Sequence, residues 1–349
     1  MIDYIGLQNF TNFNQYQFFF SKGINIFIGK NGTGKTHILK NIAATIDASN
    51  VFNSGQSVSS SATMKGTTYA SKLMNYFKPD NLGNLVQKTW SGATIHLSYN
   101  NEELEYSLSS TSKSSITIKK DAKWEKIQSL YIPPREMFSL FEGFIGLTEK
   151  REISFDETYI AFAKALNVPL LKADYKNPLQ SAIDILENEL HFKVIQQNGR
   201  FYIKTANETL EAHLVAEGFR KLASIMYLIL NGELKENSIL FWDEPEANLN
   251  PALINVVAKF ILELERHGIQ IFIATHDYLL THILSLNSEY KKTEAKFFCL
   301  LKNSESEQIS VEEGDTLTSI ENNPILDEYA AYYDLEQTFI NSDLTDETI

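Results

Sequence analysis

Apolar residues in this 349-residue chain fall into runs of two kinds. Residues 24–28, 238–243 and 269–274 are almost continuously apolar, the pattern of strands buried on both faces. Residues 4–10 and 15–20 read as two short strands feeding the first of these. Between residues 93 and 132 the chain instead alternates with period two, over 94–99, 104–108, 116–118 and 129–132. That alternation predicts an antiparallel sheet with one wet face. From 154 to 190 the spacing becomes helical, opened by a capping box at Ser154-Phe155-Asp156-Glu157 and again at Asn177-Pro178. Asn198-Gly199, between strand-like residues 191–197 and 201–204, predicts a hairpin. A long helix over residues 219–230 stops at Asn231-Gly232, and another starts at Pro251 and ends before Gly268. Strands alternating with helices predict an α/β fold on a mostly parallel sheet, into which the antiparallel and helical segments are inserted. Residues 54–61, rich in Ser, read as a low-complexity loop.

Charge changes this picture at one end only. The net charge is −13, yet thirteen of the 44 acidic residues and none of the 31 basic ones lie in 303–349. The body is therefore electrically balanced, and the acidity belongs to a C-terminal tail. Within it Asn323-Pro324 opens a helix that places Leu326, Tyr329, Ala330 and Tyr333 on one face. Tyr332, Leu335 and Phe339 line the next face, an arrangement expected to dock a partner, with 341–349 unstructured beyond it. The single cysteine, Cys299, lies in an apolar run and reads as core. No apolar stretch reaches 18 residues and no basic leader precedes the first strand, so a soluble cytoplasmic protein without membrane contact is expected.

Two segments carry chemistry. Gly29-Lys30-Asn31-Gly32-Thr33-Gly34-Lys35-Thr36 fits the phosphate-loop pattern between a strand and a helix. Its glycines let backbone N–H groups face phosphate oxygens, Lys35 reaches the β- and γ-phosphates, and the Thr36 hydroxyl holds Mg²⁺. Far along the chain, Ser238–Trp242 is an apolar strand that ends in Asp243-Glu244, carboxylates placed to handle a metal and an attacking water.

Four elements stand in one order: phosphate loop, Ala216-Glu217-Gly218-Phe219-Arg220-Lys221 before a helix, Asp243-Glu244, and a strand ending in His276. This order resembles the ABC-type ATPases, in the branch of RecF, SMC proteins and the OLD-like and Septu-like bacterial defence ATPases. Asp243-Glu244-Pro245-Glu246-Ala247-Asn248-Leu249-Asn250-Pro251 is very similar to that branch. The resemblance implies a P-loop NTPase with an ABC-type head: a mostly parallel core sheet, an antiparallel β insertion at about 50–132 and a helical signature lobe at about 140–235. It sets a head at 1–302 and an acidic tail with one helix at 303–349. Implied cofactors are ATP and Mg²⁺, with the metal on Thr36 and Asp243, Glu244 as base and His276 as γ-phosphate sensor. Glu136, in the turn where the family often has a glutamine, is a further metal contact. Ala216, Glu217 and Gly218 stand for the signature that binds the partner's ATP in a head-to-tail homodimer, although Ala and Glu replace the usual Ser and Gly. Asn248 to Asn250 would cross that interface. Asn9-Phe10-Thr11-Asn12 lacks the arginine that related repair ATPases carry.

No nuclease motif is visible. The resemblance thus implies a nucleotide-driven switch for a separate effector, a nuclease or toxin, in anti-phage defence. A RecF-like clamp on DNA is the alternative, although only Lys119, Lys120, Lys123 and Lys126 form a local basic run. The motor subunit of a transporter is the third reading, and the sequence after Asp243-Glu244 argues against it.

Overall fold

The computed structural model describes residues 1–53, 61–172, 175–303 and 308–346. Most of the Ser-rich loop, at 54–60, lies outside them. In chain order the elements are β1 (Ile2–Phe10), β2 (Phe13–Phe19), β3 (Ile24–Ile28), α1 (Lys35–Phe52), α2 (Ala62–Phe77), β4 (Gly92–Tyr99), β5 (Glu102–Ser109), β6 (Thr117–Lys120) and β7 (Ser129–Ile132). There follow α3 (Phe144–Glu149), α4 (Glu157–Leu166), α5 (Gln180–Leu190), β8 (Lys193–Gln197), β9 (Arg200–Lys204), β10 (Thr209–Glu211) and α6 (Glu217–Leu230). The chain closes with β11 (Ile239–Asp243), α7 (Pro251–Arg266), β12 (Gln270–Thr275), α8 (Tyr278–Lys291), β13 (Ala295–Lys302), β14 (Ile309–Gly314) and α9 (Pro324–Asp346).

A six-stranded sheet in the order β14-β13-β3-β12-β11-β7 forms the centre, parallel throughout except for β14. The residues of β3, β11 and β12 are all buried, in keeping with their almost continuously apolar runs. One apolar core lies between this sheet and the helical lobe, and holds Trp242, Phe260 and Leu222. A second lies between it and the antiparallel sheet, and holds Phe27, Phe272, Ile38 and Tyr106. Mostly parallel core sheet, antiparallel β region and helical lobe are thus all present.

Several expectations are corrected in detail. Residues 129–132 do not continue the antiparallel sheet: β7 lies parallel to β11, with Leu240 opposite Leu130. A four-residue run is too short for its period to separate a half-buried strand from a fully buried one. Nor is the antiparallel sheet a self-contained insertion. Its order is β2-β1-β4-β5-β6, so the N-terminal hairpin supplies two of its strands, with Leu7 opposite Ile95. Helix α2 lay unread behind the Ser-rich stretch. Ser61 starts it by accepting from the Met64 N–H, and Tyr69, Ala70, Leu73 and Tyr76 bury one face. The capping residue of α4 is Asp156, whose carboxylate accepts from the Thr158 N–H at 2.9 Å, and not Ser154. Residue 302 ends β13, yet the chain returns as β14 to pair Leu300 with Val311, so the core sheet continues past that point. Residues 341–346, expected to be unstructured, are the last turns of α9.

Candidate active site

The phosphate loop joins the C-terminal end of β3 to α1 at the middle of the core sheet, the position where open α/β sheets bind ligands. Gly34 precedes α1 at φ +101° with no side-chain cap, so the first N–H groups of that helix are left for an anion. Gly34 cannot be replaced, since a Cβ there would also meet the Phe13 ring at 2.9 Å. Lys35 is 7 % exposed, and its ammonium donates to the Gly29 carbonyl at 2.7 Å and the Lys30 carbonyl at 3.1 Å. Burial pulls its pKa below the usual lysine value, while Glu244, Asp243 and Glu246 oppose that fall.

Facing the loop is the tip of β11. The Thr36 hydroxyl donates to Asp243 Oδ1 at 3.0 Å and the Tyr131 hydroxyl donates to Oδ2 at 3.2 Å. Burial raises the Asp243 pKa to about 6, against the lowering effect of the Thr36 bond. Glu244 follows at φ +50°, a strained value for a non-glycine residue. Its N–H donates to the Ala274 carbonyl at 2.8 Å, and its own carbonyl receives the Lys221 ammonium at 2.5 Å. Lys221 is itself buried, and desolvation lowers its pKa to about 8. The Glu244 carboxylate is left about one-third exposed, with its Oε1 3.8 Å from His276 Nδ1.

Glu246 is a hydrogen-bonding strut. Its Oε1 accepts from the Thr275 hydroxyl at 2.8 Å and the His276 N–H at 3.2 Å, which fixes the end of β12. Its Oε2 is buried without a partner. The loop after it holds the start of α6: Asn248 Nδ2 donates to Glu217 Oε1 at 2.8 Å. A Cβ on Gly218 would come within 2.8 Å of the Asn248 carbonyl, so that glycine is required by close packing inside one chain. Ala216 is exposed beside it.

Glu136 is placed differently from the rest. Its carboxylate accepts from Arg220, 2.9 Å away and also on α6, and from the Ser139 N–H and hydroxyl. These bonds tie the turn after β7 to α6. In the sequence Arg220 and Lys221 stand out only as parts of a motif, and Tyr131 does not stand out at all. Two cations within an otherwise apolar helix face were the available signal for the first two, and Tyr131 carried none.

On the other flank, a cleft of about 530 Å³ is lined by Thr11, Asn12, His37, Phe77, Val86 and Gln87. Asn12 Nδ2 donates to the Gly32 carbonyl at 2.7 Å, joining this cleft to the loop. Thr11 Oγ1, His37 Nδ1 and Gln87 Oε1 are buried there without partners. Burial, with Lys40 nearby, lowers the pKa of His37 to about 4.

Residues 69–281 match the family described as "AAA domain, putative AbiEii toxin, Type IV TA system". The chain belongs to this family. The matched segment contains Asp243, Glu244 and His276 and begins after the phosphate loop. A crystal structure of an SMC head bound to the C-winged helix domain of ScpA is similar in fold, with a TM-score of 0.52 at 15 % identity, over 90 % of this chain and 98 % of that one. The SMC head domain from Thermotoga maritima gives 0.49 at 13 % identity, over 89 % and 98 %. The DNA replication and repair protein RecF from two strains of Streptococcus suis, 05ZYH33 and 98HAH33, is 46 % identical over 41 residues. That match spans 12 % of this chain and only 11 % of the relatives' length. The likeness to the ScpA-bound SMC head shows the fold, a P-loop α/β fold with an ABC-type head. Among its described residues no helix is long and apolar enough to cross a membrane.

The residues present fit a nucleotide with Mg²⁺. Lys35 satisfies itself on carbonyls of its own loop, a Cβ on Gly32 would meet nothing within 4 Å, and Thr36 and Asp243 present adjoining oxygens. Among the described residues no three His, Cys, Asp or Glu side chains cluster to hold a metal unaided. A hard cation here would need phosphate and water oxygens as well, the usual state of Mg²⁺.

Proposed function

We propose that this ABC-type ATPase binds and hydrolyses ATP with Mg²⁺ as a nucleotide-driven dimeric switch governing a separate effector protein, a nuclease or toxin, in bacterial anti-phage defence. The observation that carries the hydrolytic part is the Thr36–Asp243 contact at 3.0 Å, with the Glu244 carboxylate beside it and free of any tight partner. Thr36 and Asp243 would hold Mg²⁺, which when bound neutralises charge on the β- and γ-oxygens. Lys35 leaves its loop carbonyls for phosphate oxygens. Glu244 accepts a proton from the attacking water, and His276 donates to the γ-phosphate. The unpartnered polar atoms of the cleft beside the loop suit the nucleoside end of the same molecule.

The effector reading rests on the sequence resemblance; the family description, "putative AbiEii toxin", links the AAA domain itself to a toxin system without naming a separate effector. The DNA-clamp alternative draws on the short RecF match. It gains nothing from the local basic run, because Lys120 pairs with Glu103 at 2.5 Å and Lys119 with Glu105 at 3.4 Å.

Two measurements test the proposal. Sizing by light scattering with a non-hydrolysable ATP analogue should show a monomer becoming a dimer, and Ala216→Asp should abolish that step. The aspartate would face the γ-phosphate of a second copy without disturbing the packing of Gly218. An Ala216→Asp protein that dimerises normally removes the signature assignment. The second measurement concerns pH. The folded pKa of Asp243 is about 6, and metal binding needs the carboxylate. Mg²⁺ affinity of the analogue complex should therefore weaken, by about tenfold per unit well below pH 6. Comparison with Asp243→Asn removes the nucleotide's own titration, and equal pH profiles for the two proteins would show that Asp243 is not a ligand.

A further inference from the structure

Helix α9 is rooted beside the phosphate loop and then leaves the body. Glu312 accepts from the N–H groups of Glu321 and Asn322, both at 2.9 Å. Asn323 is buried and caps the first turn through the Ile325 and Leu326 N–H groups. Glu328 lies 3.5 Å from Lys30, the second residue of the phosphate loop. The Tyr329 ring packs on Tyr278, which begins α8 two residues after His276, with centroids 5.2 Å apart. The root therefore stands on the face where the phosphate loop and His276 turn meet solvent. Beyond it, Tyr332, Tyr333, Leu335 and Ile340 are between 46 % and 66 % exposed. None of these side chains makes a hydrogen bond, ion pair or ring contact with the described residues.

We infer that α9 is an arm that docks on a second copy of this chain across the nucleotide-binding face. The inference rests on the dimeric reading above, which turns that face toward the second copy. Asp346 stands seventeen positions beyond Tyr329 in α9, roughly 25 Å at 1.5 Å per residue, enough to pass the edge of one body and reach another. Covering the exposed halves of these side chains on both arms, together with the surfaces that receive them, removes on the order of 1,600 Å² from water, the size of an ordinary stable interface. Charge narrows the choice of occupant. The described arm carries Asp327, Glu328, Asp334, Glu336, Asp343 and Asp346 and no basic residue. It repels nucleic acid and a second acidic arm alike, and leaves the charge-balanced body of the other copy as its seat. The seat assigned to it on that body is Leu214, 72 % exposed and two residues before Ala216.

The test uses the full-length protein and a non-hydrolysable ATP analogue, with the dimer dissociation constant obtained by light scattering over a concentration series. A Tyr332→Ser, Tyr333→Ser, Leu335→Ser triple variant should weaken the dimer tenfold or more, and Leu214→Ser severalfold. Analogue binding by the dilute monomer should stay unchanged, which also shows that both proteins are folded. Dimer constants within twofold of wild type would overturn the inference and leave the arm to another protein. A wild-type chain that stays monomeric with the analogue would overturn it together with the dimeric reading. An intact dimer that fails only with Ala216→Asp would sink the arm alone.

Discussion

Glu244→Gln should bind ATP with near wild-type affinity and hydrolyse it about a thousandfold more slowly, within the 10²–10⁴ range of general-base contributions. The carboxylate is set by backbone constraints the substitution leaves untouched. Its residue is held at φ +50° by a hydrogen bond from its own N–H to Ala274 and by the Lys221 ammonium on its carbonyl. Glutamine is nearly isosteric, so the geometry survives while proton acceptance is lost. The complex should accumulate as dimer, because opening follows hydrolysis in the proposed cycle. Single-turnover assays with sizing would read both effects. A variant that turns over ATP at the wild-type rate would show that another group activates water.

Lys35→Ala should fail earlier, at binding. Removing one partner of a buried, charge-assisted contact costs about 2–5 kcal/mol, or roughly 30- to 4,000-fold in affinity. The substitution also leaves the Gly29 and Lys30 carbonyls without their buried donor, although water entering the emptied loop can restore part of that loss. Fluorescence titration with a labelled ATP analogue would measure it. Affinity within a fewfold of wild type, at unchanged thermal stability, would mean that the loop does not cradle the phosphates. The two variants separate the halves of the site: one protein cannot load nucleotide, and the other cannot release it by chemistry.

Local features were readable along the chain; arrangement in space was less so. The phosphate loop and Asp243-Glu244 stood out because each is an abrupt polar or glycine-rich end to an apolar strand, and the structure brings them within one hydrogen bond of each other. Strand β7 was misplaced because four residues carry no usable period, and its partner β11 lies over a hundred positions away. Helix α2 was overlooked behind a Ser-rich stretch, although its apolar spacing was present. Glu136 shows a different limit. Sequence order identifies the turn it occupies, but nothing in the order reveals that Arg220 claims its carboxylate. Tyr131 was invisible for a related reason, since one aromatic in a strand looks like core until its hydroxyl is found on Asp243.

The strand order of the central sheet also governs how the molecule can be made. Strand β3, which carries the phosphate loop, pairs on one edge with β12 and on the other with β13, both from the far end of the chain. During synthesis its two hydrogen-bonding edges stay open until residues 270–302 emerge, a long exposure for an apolar segment able to pair with strands of other chains. The nascent protein therefore cannot assemble its phosphate loop early. Ribosome-bound fragments ending before β12 should neither bind nucleotide nor resist aggregation without a chaperone, whereas completion of β13 should confer both at once.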